Sequence, residues 1–470
     1  MGIAWLSRRG IGLRKFGRMV GRVPAPAAAV LLAGLAATIA INWPGHIGWD
    51  GVIQLAEGRS GSYQNWHPAI MSWLLGITDA VWPGVRLFVL FDTLLLYGAL
   101  ISLVRLGRGG WPAAVVAGLM IASPQLAIFP GVALKDTLFA CSGVAAFVCL
   151  AHAAACRRPR VRLALFAGGM ALVVLAGLTR QNGILLVLAA SASIGFIVGV
   201  AGRSARHGIV CGGGALAAAG VAMALISAAL ATHVDADFDA RAGQIKQLRV
   251  FDIVGAVRRQ PGLNLDELRR ADPVLERLIR TKGVGLYRPG VHDSLSGDTV
   301  FGGAEDNAPD EAVARQWSDL VRGHPWLYLR LRAETFRWLA TTPDTHLCPA
   351  MNLVGVAGPK AAMQSLGLAH RLDKRDVGLT AYMAGPIGSA FCSHVFFALL
   401  GVAALVFLLR QRSPPDIAMA AMLAASLAFM ASFFVISIAC DYRYLLFVDT
   451  AAMTAALYIA LTIRTPSDVA

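Results

Sequence analysis

Residues 163–201 read LALFAGGMALVVLAGLTRQNGILLVLAASASIGFIVGVA, and the one charged side chain among them is Arg180. The apolar runs 163–179 and 183–201 are each long enough to cross a hydrocarbon core of about 30 Å as a helix. Two such runs joined by the polar turn Thr179-Arg180-Gln181-Asn182-Gly183 form a transmembrane hairpin. Working outward, the same test gives ten spans: 25–43, 85–104, 113–130, 137–156, 163–179, 183–201, 208–231, 386–409, 416–438 and 444–463. The apolar stretch 68–82 is too short to span comfortably and is expected as a re-entrant or interfacial helix. The fold class is therefore an all-α integral membrane bundle of about ten transmembrane helices.

Composition agrees. Of 470 residues 56% are hydrophobic and 15% charged, against about 25% charged in soluble domains. The net charge of +14 does not signal nucleic acid, because the basic residues sit in short segments between apolar runs, as orientation signals do. Placing the N-terminus (Arg8, Arg9, Arg14, Lys15, Arg18, Arg22) inside puts Arg105 and Arg108; Arg157, Arg158, Arg160 and Arg162; Arg203 and Arg206; Arg410 and Arg412; and Arg464 on the same side. The rule fails downstream if 68–82 crosses fully. The apolar run starts too far beyond Arg8-Arg9 for a twin-arginine signal, so 25–43 is expected as an uncleaved first helix.

This threading divides the chain into an N-terminal bundle (1–231, with the first external loop at 44–84), a large external segment (232–385) holding 19 of the 28 acidic residues, and C-terminal transmembrane helices (386–470). It implies a multi-pass membrane protein with both termini cytoplasmic; the high Ala, Gly and Arg content points to a bacterial source, which makes the membrane the inner one and 232–385 periplasmic. Residues 324–340 mix Trp, Phe and Leu with Arg, which suits either an interfacial helix or a packed helix of the external segment. No repeat of inverted halves is evident. Cys141, Cys149 and Cys156 read as packing residues, while a disulfide among Cys348, Cys392 and Cys440 is left open.

The external turns carry the polar residues. They are Trp49-Asp50-Gly51 and Tyr63-Gln64-Asn65-Trp66-His67-Pro68, then Lys135-Asp136, then the Arg180 turn, then Asp441-Tyr442-Arg443-Tyr444. Taken singly, each has a plain structural reading. Asp50 reads as a helix cap, Trp66 and Tyr444 as interfacial aromatics, Arg180 as a headgroup contact, and Asp92 and Asp449 as buried hydrogen-bonding acids. Their convergence at one face is the signal. Glycosyl transfer from a polyprenyl-phosphate sugar needs such a set at the interface, since the donor's tail belongs in the bilayer. The phosphate leaving group calls for cations, and Arg offers a bidentate fork. Lys135, Arg180 and Arg443 supply that charge, with Asn182 and Tyr444 beside them. The acceptor hydroxyl calls for a base, with Asp50 first, Asp136 second and His67 adjacent. Trp66 or Tyr63 would stack on a sugar.

These residues resemble the GT-C superfamily of polytopic, polyprenyl-phosphate-sugar-dependent glycosyltransferases, which includes protein O-mannosyltransferases and aminoarabinose transferases. The resemblance covers roughly 25–200 and the last spans. It implies an essential acid at Asp50, a His-Pro motif at His67-Pro68, a second acid opening a helix at Asp136, the arginine turn at Arg180, and an Arg-Tyr pair at Arg443-Tyr444. Two positions depart from it: Gly51 stands where many relatives carry a second acid, which puts metal assistance in doubt, and Ala69 replaces a second Pro. The implied activity is inverting transfer of a sugar to a cell-envelope glycan, lipid or protein. No resident cofactor is implied, a divalent metal being the one left open. Partners are the lipid-linked donor, membrane lipids and the acceptor, with no nucleic acid. The alternatives are an O-antigen polymerase or ligase, which would centre on His324, Arg330 or Arg332, and a lipid or glycan transporter.

Overall fold

The computed structural model describes residues 25–463 except 65, 108–109, 203, 235–239, 345–346, 349–353 and 388. The basic N-terminal residues Arg8 to Arg22, together with Asn65, Arg108, Arg203 and Arg464, lie outside the described residues. The described residues are helical and loop, with isolated β-bridges only. They form an all-α membrane bundle, the architecture the GT-C resemblance implies.

The chain begins with α1 (Ala25–Asn42), then α2 (Trp49–Ser60) and α3 (Ala69–Val81) in the first loop. It continues through α4 (Arg86–Leu103), α5 (Trp111–Ile121), α6 (Pro124–Ala127), α7 (Lys135–Ala155), α8 (Pro159–Thr179), α9 (Ile184–Gly202) and α10 (Ala205–Ala231). Of the later helices, α11 (Ala240–Arg259), α12 (Asp310–Gly323), α13 (Pro325–Thr341) and α14 (Lys374–Ala384) belong to the long segment that follows α10. The bundle is completed by α15 (His394–Gln411), α16 (Pro414–Ile436) and α17 (Leu446–Thr462). Eight helices among the described residues are long and apolar enough to cross a membrane; α1 is shorter, and the expected straight span at 113–130 is instead bent by 72° between α5 and α6. The cause is local. Pro124 has no N–H to continue the helix and pushes Ser123 into an extended conformation.

The bent pair still joins the two ends of the bundle. Gly107, just before α5, lies against Leu461 at the far end of α17. At the other end Gly131 lies against Asn42, the last residue of α1, and accepts a hydrogen bond from the His46 N–H. By contrast α3 starts and finishes at one end: the chain after it returns to α4, whose Val85 and Val89 flank Gly45. The apolar Trp73, Ile77, Val81 and Trp82 face outward from it, as an interfacial helix requires.

Small residues set how closely the helices approach. A Cβ on Gly143 of α7 would come within 2.8 Å of Phe447, and one on Gly208 of α10 within 2.5 Å of the Gly195 carbonyl of α9. Central α7 and α17 are consequently the most buried spans, at 78% each, while α10 is peripheral.

The long segment between α10 and α15 divides in two. Residues 240–341 form a helical body with its own core, including Val250, Phe251, Ile279, Phe301 and Leu320. Within it α13 is fastened down. Arg332, fully buried, pairs with Asp252 at 3.2 Å and donates to the carbonyls of Val435 and Ser437, which end α16. Helix C-termini leave such carbonyls without helical partners. The packed reading of 324–340 therefore describes the Arg332 face, while Trp326 and Leu329 face outward. Arg332 is a structural tie, and His324 and Arg330 are exposed. Residues 354–384 instead return over the first loop: Val356 pairs with Ile47, Gly358 meets Val52, and Met363 and Leu366 join the core under α2. Of the three outer cysteines, Cys348 and Cys440 form a disulfide and Cys392 is free. Cys141 is buried in α7, with Cys149 and Cys156 partly buried nearby.

Candidate active site

Two backbone bonds place the first acid. The His46 N–H donates to Gly131, and the Ala133 N–H donates to His46, tying the 44–48 loop to the segment before α7. Asp50 then falls in the first turn of α2, where a carboxylate is favoured by the helix dipole. A Cβ on Gly51 would lie 2.8 Å from the Ala133 carbonyl. Position 51 thus has no room for a second acid, and the glycine is what lets α2 approach Lys135 and Asp136 at the start of α7. The His67 turn is held by Glu57, which accepts from the Ser72 hydroxyl at 2.6 Å and from the Gln64 N–H at 3.2 Å.

Four segments meet here. Arg443 Nη1 lies 2.9 Å from Asp50 Oδ2, its Nε 3.0 Å from Asp441 Oδ2 and 3.7 Å from Asp136 Oδ2. Arg180 pairs with Asp136. Lys135 Nζ is 2.8 Å from His67 Nδ1, and His67 Nε2 is 3.8 Å from Asp50 Oδ1. An ammonium has no acceptor, so His67 Nδ1 accepts and the ring proton is assigned to Nε2, facing Asp50. Arg180 is also boxed by the rings of Phe429, Phe433 and Tyr444 at 5.3–5.6 Å, and Tyr444 has Arg443 at 5.2 Å on its own ring. Three carboxylates alternate with three cations.

Burial acts to raise the Asp50 carboxyl, yet the Arg443 and Lys135 charges and the Arg443 hydrogen bond outweigh it and hold it at about 2. Burial and then the Lys135 charge lower His67 to about 3. His46 is likewise lowered by burial, to about 4; it accepts from the Gly355 N–H and faces Asp376 and Arg371. Both histidines remain neutral when folded and take up a proton near pH 6.5 when unfolded. Below that pH the unfolded state binds more protons, so their joint effect is lost stability as pH falls from about 6.5 toward 4. At pH 5.5 each should remove roughly 1 kcal/mol. Melting curves across pH 7.5–4.5 should fall on acidification, and His46→Gln and His67→Gln should each flatten the fall; unchanged slopes in both variants would contradict the assignment.

Other expected residues lie apart. Tyr63 is 5% exposed, its ring packed at 6.0 Å from His233 and its N–H donated to the His233 carbonyl, so no face is open for a sugar. Asn182 turns away to Ser432 of α16 at 2.8 Å. Trp66 stands at the edge, its carbonyl accepting from Gln244 of α11 at 2.6 Å; Gln244 also receives Gln181 at 3.2 Å. Helix α11 thereby touches two of the site's turns.

Asp441 was the residue not singled out from the sequence, although it stands two positions before Arg443. Burial raises its carboxyl against the pull of Arg443. Cys440 before it is anchored by the disulfide. Beneath Tyr442 lies a buried network. The Tyr442 hydroxyl donates to Asp449 at 2.6 Å, His394 Nδ1 is 2.8 Å from the same carboxylate, and Gln125 reaches Tyr442 at 2.5 Å. Asp449 is thus the interhelical hydrogen-bonding acid. Asp92 is buried with neither oxygen hydrogen-bonded among the described residues. Each carboxylate of the site faces a cation, and among the described residues no three His, Cys, Asp or Glu side chains are grouped to hold a metal.

No family model and no curated protein matches the chain. Among solved structures, the archaeal oligosaccharyltransferase AglB from Archaeoglobus fulgidus, in complex with an inhibitory peptide and a dolichol-phosphate, is similar at a TM-score of 0.39 and 13% identity, over 92% of this chain and 50% of that one. This chain spans about half the length of that structure, and a likeness of this degree carries no part of the functional argument.

Proposed function

We propose that this protein transfers a sugar, with inversion, from a polyprenyl-phosphate carrier to a cell-envelope acceptor, at the periplasmic face of a bacterial inner membrane. The observation that supports this most is the meeting of Asp50, Lys135-Asp136, Arg180 and Arg443 from four distant segments at one end of a membrane bundle. There a carrier's tail stays in lipid while its phosphate meets two guanidinium forks. Asp50 accepts the acceptor hydroxyl's proton; the hydroxyl oxygen bonds to the anomeric carbon as the bond to phosphate oxygen breaks; and the carrier phosphate leaves with the electron pair, its charge met by Arg443, Arg180 and Lys135.

Arg443 gives this reading an order of events. Without substrate it clamps Asp50, and a carboxylate held at about 2 is a weak base. The donor phosphate competes for the same guanidinium. Once Arg443 turns to it, Asp50 regains proton affinity at the moment an acceptor is needed.

The test is transfer by purified protein from a panel of polyprenyl-phosphate sugars, with envelope extract as acceptor and with EDTA present. Labelled product is the expected result. Activity with lipid-pyrophosphate glycans alone would replace this reading by the polymerase or ligase one.

A further inference from the structure

Along the side of the bundle a groove of about 980 Å³ runs between α8 and α10 with α9 as its floor, from Arg162 and His207 at the end away from the site to Val174 and Ile226. Its walls include Phe166, Met170, Ile194, Ala215, Ala222 and Ile226. It exists because α9 and α10 meet through Gly195, Gly199, Gly208 and Gly212. That close crossing draws α10 toward α9 and leaves the outward faces of α8 and α10 uncovered. Only 6% of the apolar window of α10 is buried. The volume is at the upper end of ligand pockets, about 300–1,000 Å³.

The mouth of the groove is cationic. Arg162 lines it, and the exposed Arg157, Arg158 and Arg160 adjoin it. The N-termini of α8 and α10 lie there beside the C-termini of α7 and α9, so the helix dipoles offset one another and the arginines supply the charge. None of these arginines forms an ion pair among the described residues, whereas Arg180 and Arg443 at the opposite end are each matched by carboxylates. Orientation alone accounts for positive charge at this level of the membrane, but it does not account for an acyl-sized groove opening at the same place.

We infer that this groove binds an anionic two-chain phospholipid, its phosphate at Arg162 and the neighbouring arginines and its chains between α8 and α10. The occupant is not the donor's tail. Toward the active-site end Met223 packs over Gly177, where a Cβ would be 3.1 Å from the Met223 methyl and 3.2 Å from Val187. The groove's lining stops at Val174 and Ile226 without reaching Arg180, and its charged end faces the other way. The inference stands independently of the proposed activity.

The experiment is thermal unfolding of the full chain, delipidated in a neutral detergent, with added phosphatidylglycerol, phosphatidylcholine or polyprenyl phosphate. Phosphatidylglycerol should raise the midpoint by on the order of 5 °C at saturation, and phosphatidylcholine by much less. The exposed double variant R158E/R162E should lose that response while melting like the parent without lipid. Ala222→Trp, which fills the groove, should lower the phosphatidylglycerol retained through purification. Equal shifts with both phospholipids, or a full response in R158E/R162E, would overturn the inference. So would a polyprenyl phosphate response that Ala222→Trp alone abolishes, which would give the groove to the donor.

Discussion

Asp50→Asn should lower kcat for sugar transfer by about 100- to 10,000-fold, the range a positioned general base supplies, while the protein still inserts and folds, with a somewhat lower melting point because the Arg443 ion pair is lost. Asn keeps the size of Asp but cannot take the acceptor's proton. It also removes the anionic partner that Arg443 holds at 2.9 Å without substrate. The donor phosphate then has less competition for that guanidinium, so the donor KM should fall together with kcat. A merely structural Asp50 would not separate the two constants in this way. Unimpaired kcat, or a raised donor KM, would remove Asp50 from the chemistry.

Arg443→Ala is expected to act with the opposite sign on binding. Loss of the guanidinium leaves Asp50, Asp136 and Asp441 facing only Lys135 and Arg180, and it takes away one of the two forks offered to phosphate. Transfer should drop about 100- to 1,000-fold, now with a raised donor KM. The pH profile carries the sharper signature. With Arg443 present, Asp50 lies near 2 and imposes no acid limb in the working range. Without it, burial is less opposed and the carboxyl rises, so the acid limb of kcat/KM should move to higher pH. Arg443→Lys retains charge without the planar fork and should fall between. A profile identical to the parent's in Arg443→Ala would show that the ion pair is not what holds Asp50.

The sequence carried the site's membership better than its wiring. Asp50, His67, Lys135, Asp136, Arg180, Arg443 and Tyr444 do meet, because helix length and turn position fix the height of a residue along the bundle. Tyr63 has the same height but is packed against His233, and Asn182 points to Ser432. Which way a turn residue faces depends on neighbours far away in the chain. Asp441 escaped notice because an acid beside an arginine reads as a local pair until Asp50 and Asp136 are seen to share that arginine.

By itself the sequence determined the number and position of the apolar runs, the one basic end, and the polar turns of the opposite end, because transfer of charge into hydrocarbon is unfavourable enough to be read residue by residue. The bend at Ser123-Pro124 was written there too, but hydropathy is blind to a missing N–H. Only the tertiary structure decided how the helices are arranged around the bundle axis. It chose Cys440 for Cys348, joined Arg332 to the end of α16, divided 232–385 between two supports, and turned Arg443 onto Asp50. The physical reason is that hydropathy acts along the membrane normal alone. Position around the axis comes from close packing at small residues such as Gly51, Gly143 and Gly208, where a single Cβ would force the elements apart.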